Sequence, residues 1–362
     1  MTERIFNFSS GPAMLPLPVL EKAREEILSY QRTGMSIMEM SHRSDKFEEV
    51  LHRAESGLRT LLSVPKNFKI LFLQGGATLQ FSMVPLNFLS RDETADYMIT
   101  GAWGKKAAIE AQRCGSVKTV YSSEAGGFRT VPNREEADFT PEAKYIHYTS
   151  NETIEGVEFP YDVDGGGVPV ICDASSNILS KPIDVSKYSL IYAGAQKNIG
   201  PSGVTVVIIS DELIDRVPRD QHRSLDYRLF AENDSMPNTP NTWGIYIISL
   251  VCEWLTGRGG LDKIAAENQR KAQYLYEAID NSDGFFRGHA DLAGRSKMNV
   301  TFRLSNSSIE DRFCIEAASQ GLDGLKGHRS VGGIRASIYN AFPFDGVRAL
   351  VGFMEDFASR NG

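Results

Sequence analysis

The sequence is poor in cysteine, has no long apolar run and carries no excess of positive charge. Its four cysteines, Cys114, Cys172, Cys252 and Cys314, lie far apart with no CxxC pair among them. That spacing argues against a disulfide framework or a structural zinc site, so no metal is expected, and it fits a reducing compartment. The longest apolar stretches, such as VTVVII, fall far short of a bilayer span. MTERIFNFSSGP is charged at once and has no apolar core of signal-peptide length, so a cytoplasmic protein without membrane attachment is expected. A net charge of -7 and a pI near 5.5 argue against general binding of nucleic acid or anionic membranes. Small anions stay open, because a local group of arginines captures them whatever the net charge.

What is present is ordinary for a soluble globular chain: 41% hydrophobic and 23% charged residues. At 362 residues it is long enough for two domains. DKFEEVLHRAESGLRTLL places Phe47, Val50, Leu51, Ala54, Leu58 and Leu61 at helical spacing, which predicts an amphipathic helix. Thereafter strands alternate with helices. KILFLQ reads as a strand, GGAT as a loop and LQFSMVPLNFL as a helix; ADYMIT, GAW and GKKAAIEAQRCG repeat the pattern. VKTVYS, KYIHYT, VPVICD, SLIYAG and VTVVII are further strands. The alternation predicts an α/β layer fold around a mainly parallel sheet. After about residue 255 the elements are those of a smaller α+β domain, with TGRGGLD as the junction.

In open α/β sheets ligands sit beyond the carboxyl ends of the strands. Four features fall there: GGAT, Trp103, Asp173 and Lys197. Lys197 is the one charge in AGAQKNIGPSG, between two apolar strands and beside Ala193, Gly194 and Ala195. A lysine taken out of water loses its proton readily and becomes an amine nucleophile able to form a Schiff base. Asp173 ends the strand VPVICD, where a helix cap is the plainer role. Pyridoxal phosphate (PLP), however, needs a carboxylate at its ring nitrogen and a lysine at its aldehyde. LQGGATLQF offers a strand-to-helix turn whose free N–H groups suit a phosphate. It is not a nucleotide loop, since no GK[ST] follows and no GxGxxG occurs, which disfavours a nucleotide-binding regulatory module. GHRSVGGIRASIYN carries His328, Arg329 and Arg335, and SHRS carries His42 and Arg43; arginine suits forked recognition of carboxylate or phosphate.

Taken together, FNFSSGPAMLP, MEMSHRS, ADYMITGAW, SNETIEG, DASSNILSKPIDVSKYSLIYAGAQKNIGPSG, MPNTPNTW and GHRSVGGIRASIYNA resemble the class V aminotransferases of the type I PLP fold, in particular those acting on O-phospho-L-serine. The resemblance implies a large PLP-binding α/β domain over 17–255 and a small α+β domain from 1–16 and 256–362. It implies that Lys197 forms the Schiff base, Asp173 faces the ring nitrogen, Trp103 stacks on the ring and Thr153 bonds the ring hydroxyl. Gln196, Ala77 and Thr78 would hold the cofactor phosphate, with Asn238 and Thr239 from the second subunit of a homodimer with shared sites. Arg335 would bind the substrate α-carboxylate, and His42, Arg43, His328 and Arg329 the far anion. Some members have an arginine where this chain has Thr78. The implied reaction exchanges the amino group between O-phospho-L-serine and 2-oxoglutarate, giving 3-phosphohydroxypyruvate and glutamate in serine biosynthesis. 4-Phosphohydroxy-L-threonine, of pyridoxine biosynthesis, stays open as a second substrate. A cysteine desulfurase is the alternative within the class; it would need a reactive cysteine on a mobile loop.

Overall fold

A computed structural model describes residues 4–134, 136–329 and 331–362. A seven-stranded sheet forms its centre, built from β1 (Phe68–Leu73), β2 (Thr94–Ile99), β3 (Ser116–Ser122), β4 (Ile146–Thr149), β5 (Val170–Asp173), β6 (Leu190–Gly194) and β7 (Thr205–Ser210). Their order across the sheet is β1-β7-β6-β5-β4-β2-β3. Only β7 runs against its neighbours, pairing antiparallel with both β1 and β6. The other pairs are parallel, as the alternation of strands and helices predicts.

The central strands are apolar without interruption because both of their faces are covered. Along β7, Val206 and Ile208 join one core and Val207 and Ile209 the other, following the two-residue repeat of a strand. On the first face lies the helix Asp45–Leu61, capped by Ser44 and burying Phe47, Val50, Leu51, Ala54 and Leu58. It packs on the helix Thr242–Gly257 at a close approach: a Cβ on Gly57 would stand 2.6 Å from Cys252 Cβ.

A second layer holds a three-stranded antiparallel sheet, Phe286–Gly288, Asn299–Leu304 and Ile334–Ser337. The helices Gly260–Asp280, Glu310–Ser319 and Phe344–Asn361 enclose a third apolar core with it, rich in phenylalanine. Phe8 belongs to this core, and Phe6–Asn7 pairs with Leu322–Asp323, so the N-terminal residues join the chain's last third. Buried polar links hold this layer together and register it against the large sheet. Lys271 Nζ donates to the carbonyls of Ile338, Tyr339 and Phe342, and the Asn340 N–H donates to Asn198, the residue after Lys197.

Two stretches read as loops are helical. Gly76–Phe88 takes in all but the first residue of GGAT, and Ala102–Ala111 takes in Trp103. The cause at the first is Gly75, whose φ of 92° lets the chain pass from strand to helix without a loop. The helix Thr242–Gly257 has no counterpart in the sequence reading, because Gly244 through Cys252 are all buried and leave no polar stripe to reveal a helical period.

Candidate active site

Four parallel strands end along one edge of the sheet, and their continuations enclose a cavity of about 250 Å³. After β5 comes Asp173; after β6 come Gln196 and Lys197; after β1 comes the helix start Gly76, Ala77 and Thr78; after β4 comes Thr153. Trp103 and Phe81 supply aromatic wall, and Ser10 and Gly11 cross from the N-terminal segment. His328 and Arg335 close it from the second layer.

Asp173 is 4% exposed, and its Oδ1 accepts from both the N–H (2.9 Å) and the hydroxyl (2.6 Å) of Ser175. The Ser175 hydroxyl in turn accepts from the Gly194 N–H, tying the carboxylate to the end of β6. Burial raises the Asp173 carboxyl pKa, and the nearby charge of Lys197 opposes that rise. Lys197 Nζ donates to Thr153 Oγ1 at 2.6 Å and stands 5.6 Å from the centre of the Trp103 ring. Burial brings its amine down to about 8, against the pull of Asp173 and Glu152 and with help from Arg335. A carboxylate and a tuned amine thus face one enclosed space from adjacent parallel strands.

The helix Gly76–Phe88 has no side-chain cap, since its N-cap residue is Gly75. Its first N–H groups open on the cavity, which suits an anion. A hydroxyl (Thr153), a flat indole (Trp103) and a carboxylate (Asp173) at separate walls fit the three features of PLP that need partners. Arg335 is partly buried, and its Nε has no hydrogen-bond partner among the described residues. Burial lowers the His328 pKa, as do the charges of Arg335, Lys106 and Arg329. Lys106, not singled out from the sequence, lies 4.2 Å over the Trp103 ring.

Of the residues singled out, Ala77, Thr78, Trp103, Thr153, Asp173, Gln196, Lys197, His328 and Arg335 line the cavity. Five others do not. His42 and Arg43 lie in the turn before the helix Asp45–Leu61, and Arg329 is exposed beside His328. Asn238 donates to Gln74 just beyond β1, and Gln74 donates to the Thr239 carbonyl. The reading from sequence also missed Ser175, Ser10 and Gly11. The room at Gly11 marks the last of these: a Cβ there would meet Gln196 and Lys197 at 3.4 Å.

It missed two glutamates as well. Glu152 and Glu155 are 0% and 3% exposed, at the turn that carries Thr153. Glu152 accepts from the N–H groups of Trp103 (3.1 Å) and Gly104 (2.8 Å), and Glu155 from that of Ala102 (3.0 Å). Burial pushes Glu155 up to about 7, and burial together with the charge of Glu155 raises Glu152 well above the usual carboxylate range. The signal available was SNETIEG itself: two acids three apart in an otherwise uncharged stretch.

None of the cysteines lines the cavity, and burial raises the thiol pKa of all four, which makes them poor nucleophiles. The desulfurase alternative gains nothing from this. Among the described residues no group of three or more His, Cys, Asp or Glu is placed to hold a metal, and no helix is long and apolar enough to cross a membrane.

A buried lysine with a lowered pKa, a buried carboxylate and an uncapped helix start at one sheet edge fit a PLP-dependent aminotransferase, and the class V aminotransferase family profile matches residues 5–350. More particular likenesses follow. The phosphoserine aminotransferase of Laribacter hongkongensis is 52% identical over 99% of both chains, and that of Niallia circulans 49% over 100% of both. The solved phosphoserine aminotransferase of Bacillus circulans subsp. alkalophilus superposes with a TM-score of 0.98 at 49% identity over the full length of both chains. The PLP-bound enzyme of Trichomonas vaginalis gives 0.92 at 40% identity, covering 97% of this chain and 100% of that one. The chain belongs to the class V aminotransferases, in their phosphoserine aminotransferase family.

Proposed function

We propose that this protein transfers the amino group of O-phospho-L-serine to 2-oxoglutarate, reversibly, giving 3-phosphohydroxypyruvate and L-glutamate in serine biosynthesis. The observation that carries the reading is the facing pair Asp173 and Lys197 in a cavity closed by Arg335. Bound PLP supplies an electron sink for charge developing at the substrate α-carbon. Asp173 holds the proton on the ring nitrogen, and Ser175 keeps its carboxylate aimed there. Lys197 would anchor the cofactor, and its free amine would carry the proton away from the substrate α-carbon as a general base. Thr153 orients the ring hydroxyl, Trp103 covers the ring face, and Gln196, Ala77 and Thr78 hold the phosphate. Arg335 forks onto the α-carboxylate. The same residues would serve 4-phosphohydroxy-L-threonine, which presents the same two anions, and the setting proposed is the cytoplasm.

His328, its pKa lowered by burial and by nearby positive charge, brings little charge of its own to the far anion. Arg329 stands next to His328, and His42 and Arg43 complete the set. Phosphoserine brings a phosphate of about -1.5 to -2 charge, against a single carboxylate for glutamate. Arg329→Ala is therefore expected to lower kcat/KM for both substrates, with phosphoserine suffering more and PLP still bound. Arg329 is exposed, and a screened ion pair contributes about 1 kcal/mol or less, so the loss should be several-fold. Steady-state kinetics with phosphoserine, 4-phosphohydroxy-L-threonine, glutamate and plain serine measure this. Use of serine equal to that of phosphoserine would sink the substrate reading.

The same reading makes the protein a homodimer with shared sites, of which 17–255 forms the large domain and 1–16 with 256–362 the small one. Two features support the dimer. Asn238, Thr239, His42 and Arg43 stand outside the cavity of their own chain, and Leu28, Met35 and Met38, in the segment that precedes His42, expose apolar surface at 84%, 44% and 54%. Mixing Lys197→Ala protein with protein disabled at Asn238 and Thr239 should restore partial activity, because one site of a mixed dimer is then intact. No recovery after demonstrated subunit exchange would mean that each chain builds its site alone.

A further inference from the structure

Three walls of the cavity meet at the turn 152–156. Thr153 on this turn accepts from Lys197, and the carbonyl of Glu155 accepts from Thr301, the residue paired with Arg335 across the small sheet. The carboxyl groups of Glu152 and Glu155 reach to the third wall, the start of the helix Ala102–Ala111. That helix has no cap of its own, because its N-cap position is Gly101. A Cβ on Gly101 would lie 2.5 Å from the Glu152 carboxyl carbon and 2.6 Å from Glu155 Oε2, so a side chain there and the two carboxyl groups exclude each other.

A Ser, Thr, Asp or Asn at the N-cap would have satisfied the helix start locally. A local cap fixes a helix only to itself, whereas these two acids fix it to the turn that bears Thr153. We propose that Glu152 and Glu155 are positioning residues, which set the indole of Trp103 at a fixed height over the cofactor ring by gripping the N–H groups of Ala102, Trp103 and Gly104 from the Thr153 turn. The inference rests on the reading of Trp103 as the residue that covers the ring. Glu152 uses both oxygens as acceptors, so glutamine, with one, cannot replace it. Glu155 uses one oxygen on Ala102, and its Oε2 is buried without a partner, so glutamine can serve there.

The test is PLP binding to cofactor-free protein, followed by absorbance and by the circular dichroism induced in the bound cofactor. Glu152→Gln should weaken binding about tenfold, the scale of a buried N–H left without its acceptor, and reduce the induced signal. Glu155→Gln should bind as wild type does, and Glu155→Leu should lose affinity. In a Trp103→Ala background Glu152→Gln should cost less than about twofold, because residues acting through one another are not additive. Thermal unfolding of each cofactor-free variant identifies any that fails to fold, and the Glu155 pair then carries the same cycle. An equal loss from Glu152→Gln with and without the indole would overturn the inference and leave Trp103 as the ring cover. Unaltered PLP affinity in Trp103→Ala alone would overturn that reading, and the inference with it.

Discussion

Lys197→Ala is expected to leave a folded protein with no measurable transamination. The side chain ends in one hydrogen bond, to Thr153, and sits among Ala193, Gly194 and Ala195, so the core loses little when it is cut back. On the roles proposed for Lys197, the chemistry loses both the anchor for the cofactor and the base for the α-proton. Positioned proton transfer alone contributes about 10²–10⁴-fold, and no other lysine lines the cavity to take over. Borohydride treatment of the loaded wild type, followed by peptide mapping, should find the cofactor fixed to Lys197; a label on another lysine would remove the assignment. The amine also has a pH signature. Its pKa is brought down to about 8, so below that pH it is an unreactive ammonium, and above it a free nucleophile. Uptake of PLP by cofactor-free protein should accelerate as pH rises, with a midpoint near 8.

Asp173→Asn should be nearly as damaging, by a different route. Asparagine keeps an oxygen for the Ser175 N–H and hydroxyl, so the local structure survives and only the charge is removed. The charge is needed mainly as electrons move into the ring, so kcat should fall far more than PLP affinity. Removing one partner of a buried charge pair costs about 2–5 kcal/mol, and each 1.36 kcal/mol is tenfold in rate, which gives a loss on the order of 10²–10³. Rates of single turnover beside PLP titrations separate the two effects. A variant with near-normal turnover would return Asp173 to the plain role of a turn cap.

The parts of this site legible in the sequence are those that end strands. Asp173, Lys197 and the GGAT turn follow apolar runs that cannot be mistaken for surface, so their position on the sheet edge could be read from the chain alone. Asp173 and Lys197 end two successive strands, from which a carboxylate and an amine facing one ligand could be read, and the strand order sets β5 and β6 side by side. The glutamate pair and Ser10 escaped because each acts on a segment distant in the chain, 48 residues away for Glu152 and Gly104. Helix starts were misplaced where glycine replaced the usual capping residue, at Gly75 and at Gly101. Asn238, Thr239, His42 and Arg43 were reached by likeness, and nothing within one chain brings them to the cavity.

The lone reversed strand bears on how the protein is made. β1, with the sequence FKILFL, is an edge strand whose single neighbour is β7, and β7 starts at Thr205. During synthesis those six residues leave the ribosome long before any partner exists. At about 5–20 residues per second the wait is on the order of ten seconds. An unpaired apolar edge of this kind recruits other chains, so the nascent protein is most open to association through this strand until β7 arrives.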